Sequence, residues 1–377
     1  MPIRALARVN LAAIERNVAR LRRELTGGAR LGAVVKADGY GHGALSSACA
    51  ALEAGATMLA VATAQEAAEL RSGGINAPVL VLGAVSHEEL PDALAAQAEL
   101  VAWTEAFVEQ IAASASRPTR VHVKLDTGLG RLGTRDIAQA LRVAQLVGEH
   151  EPSLTLAGAM THFATAEDDP EFVAHQLAVF APFVAELRRG NPGILVHAAN
   201  SAATLRHPES HFDLVRCGIA IYGCDPMHVD PGLRELEPAL ELSSYVAAVK
   251  RAAVGDSAGY GRKFIARSET WIATVPLGYG DGVRRALSGQ GQVLVGARRY
   301  PIVGAVSMDN ITLDVGAGDT LGPPVREGEA VTILGQSGGE RQTAEQVATA
   351  IGTINYEVVC GISSRVPRVY HRDGEPA

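Results

Sequence analysis

The chain has 377 residues, 47% of them hydrophobic and 20% charged, and 34 Lys+Arg against 41 Asp+Glu leave a net charge of −7. This composition excludes a disordered chain, and its acidic balance offers no general attraction to a nucleic-acid backbone or an anionic membrane. A small-molecule substrate is the expectation, with no nucleic-acid and no membrane partner. No apolar run approaches the ~18–20 residues of a membrane span, and no signal segment precedes the first helical pattern, so a cytoplasmic location is expected. Cys49, Cys217, Cys224 and Cys360 form no C-x-x-C pair, which predicts buried thiols and no metal site.

Leu11, Ile14, Val18, Leu21 and Leu25 recur at helical spacing behind Asn10, a residue suited to an N-cap. Short apolar runs then alternate with amphipathic stretches: 33–36, 58–62, 78–82, 99–102, 119–125, 154–160, 194–198 and 214–221 read as strands. Eight such units over about 230 residues match a (β/α)8 barrel, whereas doubly wound sheets more often stop at about five or six strands. The expected fold class is therefore α/β, with a TIM-type barrel over residues 1–232.

From Pro231 the texture changes. Gly- and Pro-rich punctuation separates β-rich runs at 242–250, 271–276, 292–295, 299–315 and 330–334, which predicts a mostly β domain over 233–377. One helix is expected within it, over 343–352, with Thr343 as N-cap and Glu345 in the first turn.

In a barrel, functional groups gather at the C-terminal ends of strands. Lys36, Lys124 and Asp126, His162, Asn200 and Ser201, and Arg216 all stand at such ends. Lys36 follows an apolar strand and precedes Ala-Asp-Gly-Tyr-Gly-His-Gly. An amine partly desolvated there loses its proton more easily than a free lysine, as condensation with an aldehyde requires. Gly39, Gly41 and Gly43 allow close backbone approach, and Tyr40 offers a hydroxyl to a phosphate. Two apparent motifs are set aside. Gly128-Leu-Gly130-Arg-Leu-Gly133 spells a dinucleotide fingerprint, but it falls in the fifth βα unit rather than a first turn. Asp126-Thr-Gly resembles an aspartic-protease triplet and has no second copy to share a proton.

Eight segments in order resemble the fold-type III, pyridoxal-phosphate-dependent alanine racemases: Val34–Gly43, Lys124–Gly133, Thr161–Ala164, Arg216–Gly223, Gly259–Gly261, Leu277–Gly282, Ser307–Asp309 and Ile351–Glu357. The resemblance covers essentially the whole chain. It implies an isomerase interconverting L- and D-alanine, in a homodimer whose subunits share active sites. Lys36 would hold pyridoxal 5'-phosphate covalently and move the α-proton on one face, and Tyr260 of the partner subunit would do so on the other. Tyr40, Asn200, Ser201, Gly218, Ile219 and Tyr356 would hold the cofactor's phosphate end, and Arg216, supported by His162, would face its ring nitrogen. Arg131 and Met308 would bind the substrate carboxylate, with Asp309 and Tyr279 in support. Lys124 resembles a lysine the family often carbamylates, which would orient Arg131. A phenol must be brought down by about 3 pH units, roughly 4 kcal/mol, to work near neutrality. One cation at ~4 Å supplies about 4 kcal/mol at an effective dielectric of ~20.

Two positions depart from the pattern. Cys217 stands where many relatives have proline, and Ala305 where some have an arginine at the substrate entrance. The expected role is D-alanine supply for peptidoglycan or alanine catabolism, with a broader-specificity racemase of the same fold as the alternative. A decarboxylase of the same fold would need a cysteine motif that Cys360 does not provide. A non-catalytic cofactor carrier would resemble the barrel alone.

Overall fold

Short runs such as Met58–Val61 and Val79–Val81 are too brief for helices and too apolar to face water, and they become strands buried along their whole length. A computed structural model describes residues 3–318 and 322–377. They fall into two units, residues 14–221 and a second composed of the described residues of 3–13 and 222–377. The opening strand, β1 (Leu6–Asn10), belongs to the second unit and is absent from the sequence reading.

The first unit contains β2 (Arg30–Val34), β3 (Met58–Val61), β4 (Val79–Val81), β5 (Glu99–Ala102), β6 (Thr119–Lys124), β7 (Leu154–Met160), β8 (Leu195–His197) and β9 (Leu214–Cys217). All pairings are parallel, in the order β8-β7-β6-β5-β4-β3-β2-β9. Asp213 N–H to Val196 O and Arg216 N–H to Ala199 O bring β9 against the end of β8, so the barrel is nearly closed. The expected eight-stranded α/β barrel is thus observed.

Helices start where a short polar side chain can take an orphan amide. Thr63 forms a reciprocal capping box with Glu66, Asp136 accepts from Ala138 and Gln139, and Asp169 caps a helix whose first residue is Pro170. Asn10 is different. Its side-chain amide exchanges hydrogen bonds with Asp373, at 2.9 and 3.1 Å.

The second unit is built on one long sheet. Its strands are β10 (Leu240–Tyr245), β11 (Ala248–Ala252), β14 (Thr270–Val275), β15 (Gln292–Val295), β16 (Arg298–Val303), β17 (Ile311–Gly316), β18 (Ala330–Ser337), β19 (Glu340–Gln342), β20 (Arg368–Arg372) and β21 (Glu375–Pro376). A separate hairpin pairs β12 (Ser257–Ala258) with β13 (Phe264–Ile265). The sheet runs β11-β14-β17-β16-β15-β18-β10-β1-β20-β21, with β19 on β18. Two expected continuous runs are divided. Residues 242–250 break at Val246, because β10 pairs with β18 whereas β11 pairs with β14. Residues 299–315 break at a turn in which Ser307 bonds Asn310 through both backbone and hydroxyl. The expected helix is Ala344–Ile351, capped by Thr343 in a box with Gln346.

Candidate active site

Lys36 leaves β2 into a turn of the opposite hand to an ordinary helix. Ala37, Asp38, Gly39 and Tyr40 have φ of 53, 52, 62 and 52°, and Gly41 follows at 81°. Such a conformation costs roughly 1–2 kcal/mol for each non-glycine residue, so it persists only where surrounding bonds impose it. Those bonds are present. Glu66 accepts from Ala37 N–H at 2.6 Å and from Ala62 N–H at 2.7 Å, Asp38 accepts from Ala44 N–H at 2.9 Å, and Gly43 N–H donates to Asp38 O at 2.8 Å. Glycine at 39 also eases packing, since a Cβ would stand 3.1 Å from Ser47 Oγ, a tight contact.

The turn delivers Tyr40, buried, to the end of β9. A Cβ on Gly218 would lie 2.4 Å from the Tyr40 hydroxyl, so only glycine lets the phenol meet this backbone. Ser201 Oγ accepts from Gly218 N–H at 3.0 Å and Ala220 N–H at 3.4 Å, and a hydroxyl that accepts twice keeps its own proton for a further partner. Asn200 caps the helix beginning at Ser201 through a 2.9 Å bond from Ala203 N–H. Tyr40, Ser201, Gly218 and Ile219 therefore form a hydroxyl- and amide-lined cradle suited to a phosphate.

Arg216 in β9 is buried and held by four acceptors. It donates to His197 Nδ1 at 2.8 Å, His162 Nδ1 at 3.0 Å, Thr161 O at 2.9 Å and Ala198 O at 2.9 Å. Burial lowers its pKa to about 10, so it remains charged at neutral pH. Burial, followed by the Arg216 charge, holds His162 and His197 well below the ordinary histidine value, so both are neutral acceptors.

Lys124 ends β6 and is buried. Burial brings its amine down to about 8, helped by the charges of Arg216, Arg131 and Lys36 and opposed by Asp126. Arg216, Arg131 and Lys36 thus all act on Lys124, and His162 responds to all four. The loop after Lys124 is organised by Asp126, which accepts from Gly128 N–H at 3.1 Å, Gly130 N–H at 3.0 Å and Arg135 Nε at 3.0 Å. Burial raises the Asp126 carboxyl, but these bonds outweigh it and leave it low. Two amides of the apparent dinucleotide motif are therefore taken by a carboxylate of the same chain. Cys217 donates to Thr204 Oγ1 at 3.4 Å, and burial pushes its thiol up to about 12, which makes it a structural group.

In the second unit Tyr260, Tyr279, Met308 and Asp309 are exposed and Tyr356 is half-buried. Tyr260 is 76% exposed on the β12–β13 turn, Met308 52% on the turn between β16 and β17, and Tyr279 43%. These loops are tied together. Tyr279 N–H donates to Ser307 O at 3.0 Å and Gly280 N–H to Met308 O at 2.9 Å, while a Cβ on Gly259 would meet Ala305 N at 3.1 Å. Beneath them lies Asp281, fully buried, which pairs with Arg4 and accepts from Arg365 at 2.9 and 3.0 Å. Arg365 also reaches Asp309, at 2.8 Å. Tyr356 stands edge-on to His228, with ring centres 6.1 Å apart.

The sequence reading missed Glu66, His122, His197, Asp281 and Arg365. A signal existed for the two histidines, since His122 stands between two valines of β6 and His197 ends the apolar run of β8.

This barrel and β domain, with their site residues at strand ends and loop tips, match known proteins over nearly the full chain. The model of the alanine racemase N-terminal domain matches residues 9–226 and that of the C-terminal domain residues 239–370. The alanine racemase of Geobacillus kaustophilus is 42% identical over 370 residues, 97% of this chain and 94% of that one. The alanine racemase of Desulforamulus reducens is 43% identical over 374 residues, 97% of this chain and 98% of its own. The crystal structure of alanine racemase from Bacillus anthracis with bound L-Ala-P superposes with a TM-score of 0.91, at 38% identity, covering 99% of this chain and 96% of that one. Fold and relatives together define an amino-acid racemase, an isomerase. The chain belongs to the alanine racemase family. Among the described residues, no helix is long and apolar enough to cross a membrane.

Proposed function

We propose that this protein interconverts L- and D-alanine with pyridoxal 5'-phosphate, as a cytoplasmic homodimer with shared active sites. The observation that carries this reading is the convergence of Lys36, Lys124, Arg131 and Arg216, beside a hydroxyl-lined cradle, where an anionic aldehyde finds both an amine and its counter-charges. Lys36 would hold the cofactor until the substrate's amino group takes its place, which frees the Lys36 amine; the group would then supply an electron sink that acidifies the substrate's α-proton. Tyr40, Ser201 and the Ile219 amide would hold its phosphate, with Gly218 leaving room beside the Tyr40 hydroxyl, Asn200 setting the helix start and Tyr356 as a further hydroxyl for the same group. Arg216 would donate a hydrogen bond to the ring nitrogen while keeping its own proton, and neutral His162 accepts from Arg216 and steadies it.

Two proton carriers on opposite faces permit inversion. Lys36 Nζ takes or gives the α-proton on one face, and the hydroxyl of Tyr260 of the partner subunit does so on the other. Arg131 and the Met308 amide hold the carboxylate, with Asp309 and Tyr279 bracing that loop. A Lys124 amine brought down to about 8 is still mostly protonated near physiological pH but has a far larger neutral fraction than a free lysine, and the neutral form adds to CO2 to give a carbamate and release a proton. That anion would orient Arg131. The product serves peptidoglycan precursors or alanine catabolism. A broader amino-acid range is the second reading, favoured by the small Ala305 side chain packed near Gly259, which leaves the substrate entrance without an arginine.

Incubation of the purified protein with each alanine enantiomer in D2O tests the proposal. Inversion with α-deuterium incorporation is expected, and no exchange from either enantiomer overturns it. A 13C-carbamate resonance from labelled bicarbonate, absent in Lys124→Ala, tests the modification.

A further inference from the structure

Barrel interiors are usually filled by layers of branched aliphatic side chains, but this one is crossed by a polar string. Glu99 of β5, His122 of β6, His197 of β8 and Arg216 of β9 are all buried. Glu99 Oε2 lies 2.6 Å from His122 Nε2, His122 Nδ1 2.8 Å from His197 Nε2, and His197 Nδ1 2.8 Å from Arg216 Nη1. The outer carboxylate oxygen of Glu99 accepts from the half-exposed Arg120, at 2.8 Å.

The backbone is shaped for this string. The β6–β7 register slips between Val121 and His122, an irregularity of the kind that re-aims a side chain. The residue paired with His122 is Gly158, where a Cβ would stand 2.1 Å from His122 Nδ1. Glycine in β7 is thus the space the imidazole occupies.

The two ends dictate where every proton sits. A guanidinium only donates, so His197 Nδ1 accepts and its proton is on Nε2. Were His122 to donate toward His197, both nitrogens of His197 would have to accept, which only an imidazolate can do. His197 Nε2–H therefore donates to His122 Nδ1, and His122 Nε2–H donates to the Glu99 carboxylate, which only accepts. Burial raises the Glu99 carboxyl, but His122 and Arg120 outweigh it and keep it ionised.

We propose that Glu99 and His122 are positioning residues that lock His197 in its Nε2–H tautomer and so fix the Arg216 guanidinium in the orientation it presents to the cofactor ring. The proposal rests on the reading that Arg216 faces that ring. Without the anchor, His197 can take its other tautomer and turn an N–H toward Arg216, leaving two donors face to face with no acceptor between them.

Long-range 1H–15N spectra of the wild-type protein labelled at histidine test the string without any variant. Neutral Nε2–H tautomers at both His122 and His197 over about pH 6–8 are expected, and an Nδ1–H tautomer at either overturns the proposal. In the holoenzyme, His122→Leu is expected to shift the visible band of the bound cofactor and lower kcat about ten-fold, the worth of one charge-assisted hydrogen bond, with KM changed less than about two-fold. His122→Gln, whose carbonyl accepts and whose amide donates, is expected to keep the wild-type band and most of the activity. Equal losses in both variants with an unmoved band would overturn the positioning role. A wild-type protein with no cofactor band and no racemisation would overturn the functional reading instead, while the tautomer measurement still decides the string.

Discussion

The two units treat their functional residues in opposite ways. In the barrel, Arg216, Glu99, His122 and His197 are buried and hydrogen-bonded within the same unit, and Lys124 is buried near the charges of Arg216 and Arg131. In the second unit, Tyr260 and Met308 are more than half exposed, while the ion pairs bracing their loops lie underneath. Burying a charge is costly unless its hydrogen bonds are made in advance, so on the proposed reading the barrel presents a finished half-site. An exposed phenol and thioether are inexpensive to leave in water, and on that reading they would acquire their working environment only when the partner subunit covers them.

The largest effect should come from the finished half. Lys36→Ala is expected to remove both the cofactor's anchor and one proton carrier, abolishing the visible band and lowering racemisation by more than about 10^4-fold, beyond the range for one acid–base group. A variant retaining the band would move the cofactor elsewhere. Tyr260→Phe should cost about 10^2–10^3-fold, and α-deuterium exchange should suffer far more from one enantiomer than from the other. Equal mild losses would remove Tyr260 from its proposed face.

Mixing those two inactive variants sharpens the contrast between the units. If the exposed residues serve a partner's barrel, hybrid dimers carry one intact site each, and random assortment should restore about a quarter of wild-type activity. No recovery, with subunit exchange demonstrated, would place both carriers in one chain. Gly218→Ala should weaken cofactor binding about ten-fold or more, because overpacking costs ~1–3 kcal/mol and the new Cβ would lie 2.4 Å from the Tyr40 hydroxyl. Titration with pyridoxal phosphate measures this, and unchanged affinity would remove Gly218 from the cradle.

The smallest effect concerns the brace beneath the exposed loops. Burial tends to raise the Asp281 carboxyl, but hydrogen bonds from Arg365 and Arg4 outweigh it and hold it at about 2. Because the unfolded chain binds that proton more readily, this pairing contributes stability above pH ~4, up to about 2 kcal/mol, and loses it as pH falls toward 2. Asp281→Asn should flatten that acid limb of the stability curve in denaturant titrations. An unaltered limb would assign acid sensitivity to other carboxylates.

Much of the barrel was legible because its signals are local. A strand buried on both faces reads as a short apolar run wherever it lies, and a lysine or arginine at the end of such a run stands out against it. Lys36 and Arg216 were found in this way. Glu66 was not, since its role in holding the reversed turn at Ala37 depends on a neighbouring strand end. The division of 299–315 was hidden for a related reason: both halves have strand character, and the break arises from the Ser307–Asn310 turn and a change of partners from β15 to β14.

By itself, then, the sequence determined the element types, the eightfold alternation and the family motifs, because periodicity, caps and short spacings act within a few residues of one another. Tertiary structure alone decided that β1 joins β10 and β20 of the second unit's sheet, that the Tyr260, Tyr279 and Met308 loops lie side by side, and that Glu99, His122, His197 and Arg216 form one directed string. Each of these depends on hydrogen bonds between segments far apart in the chain, whose geometry exists only once the sheets have closed around them.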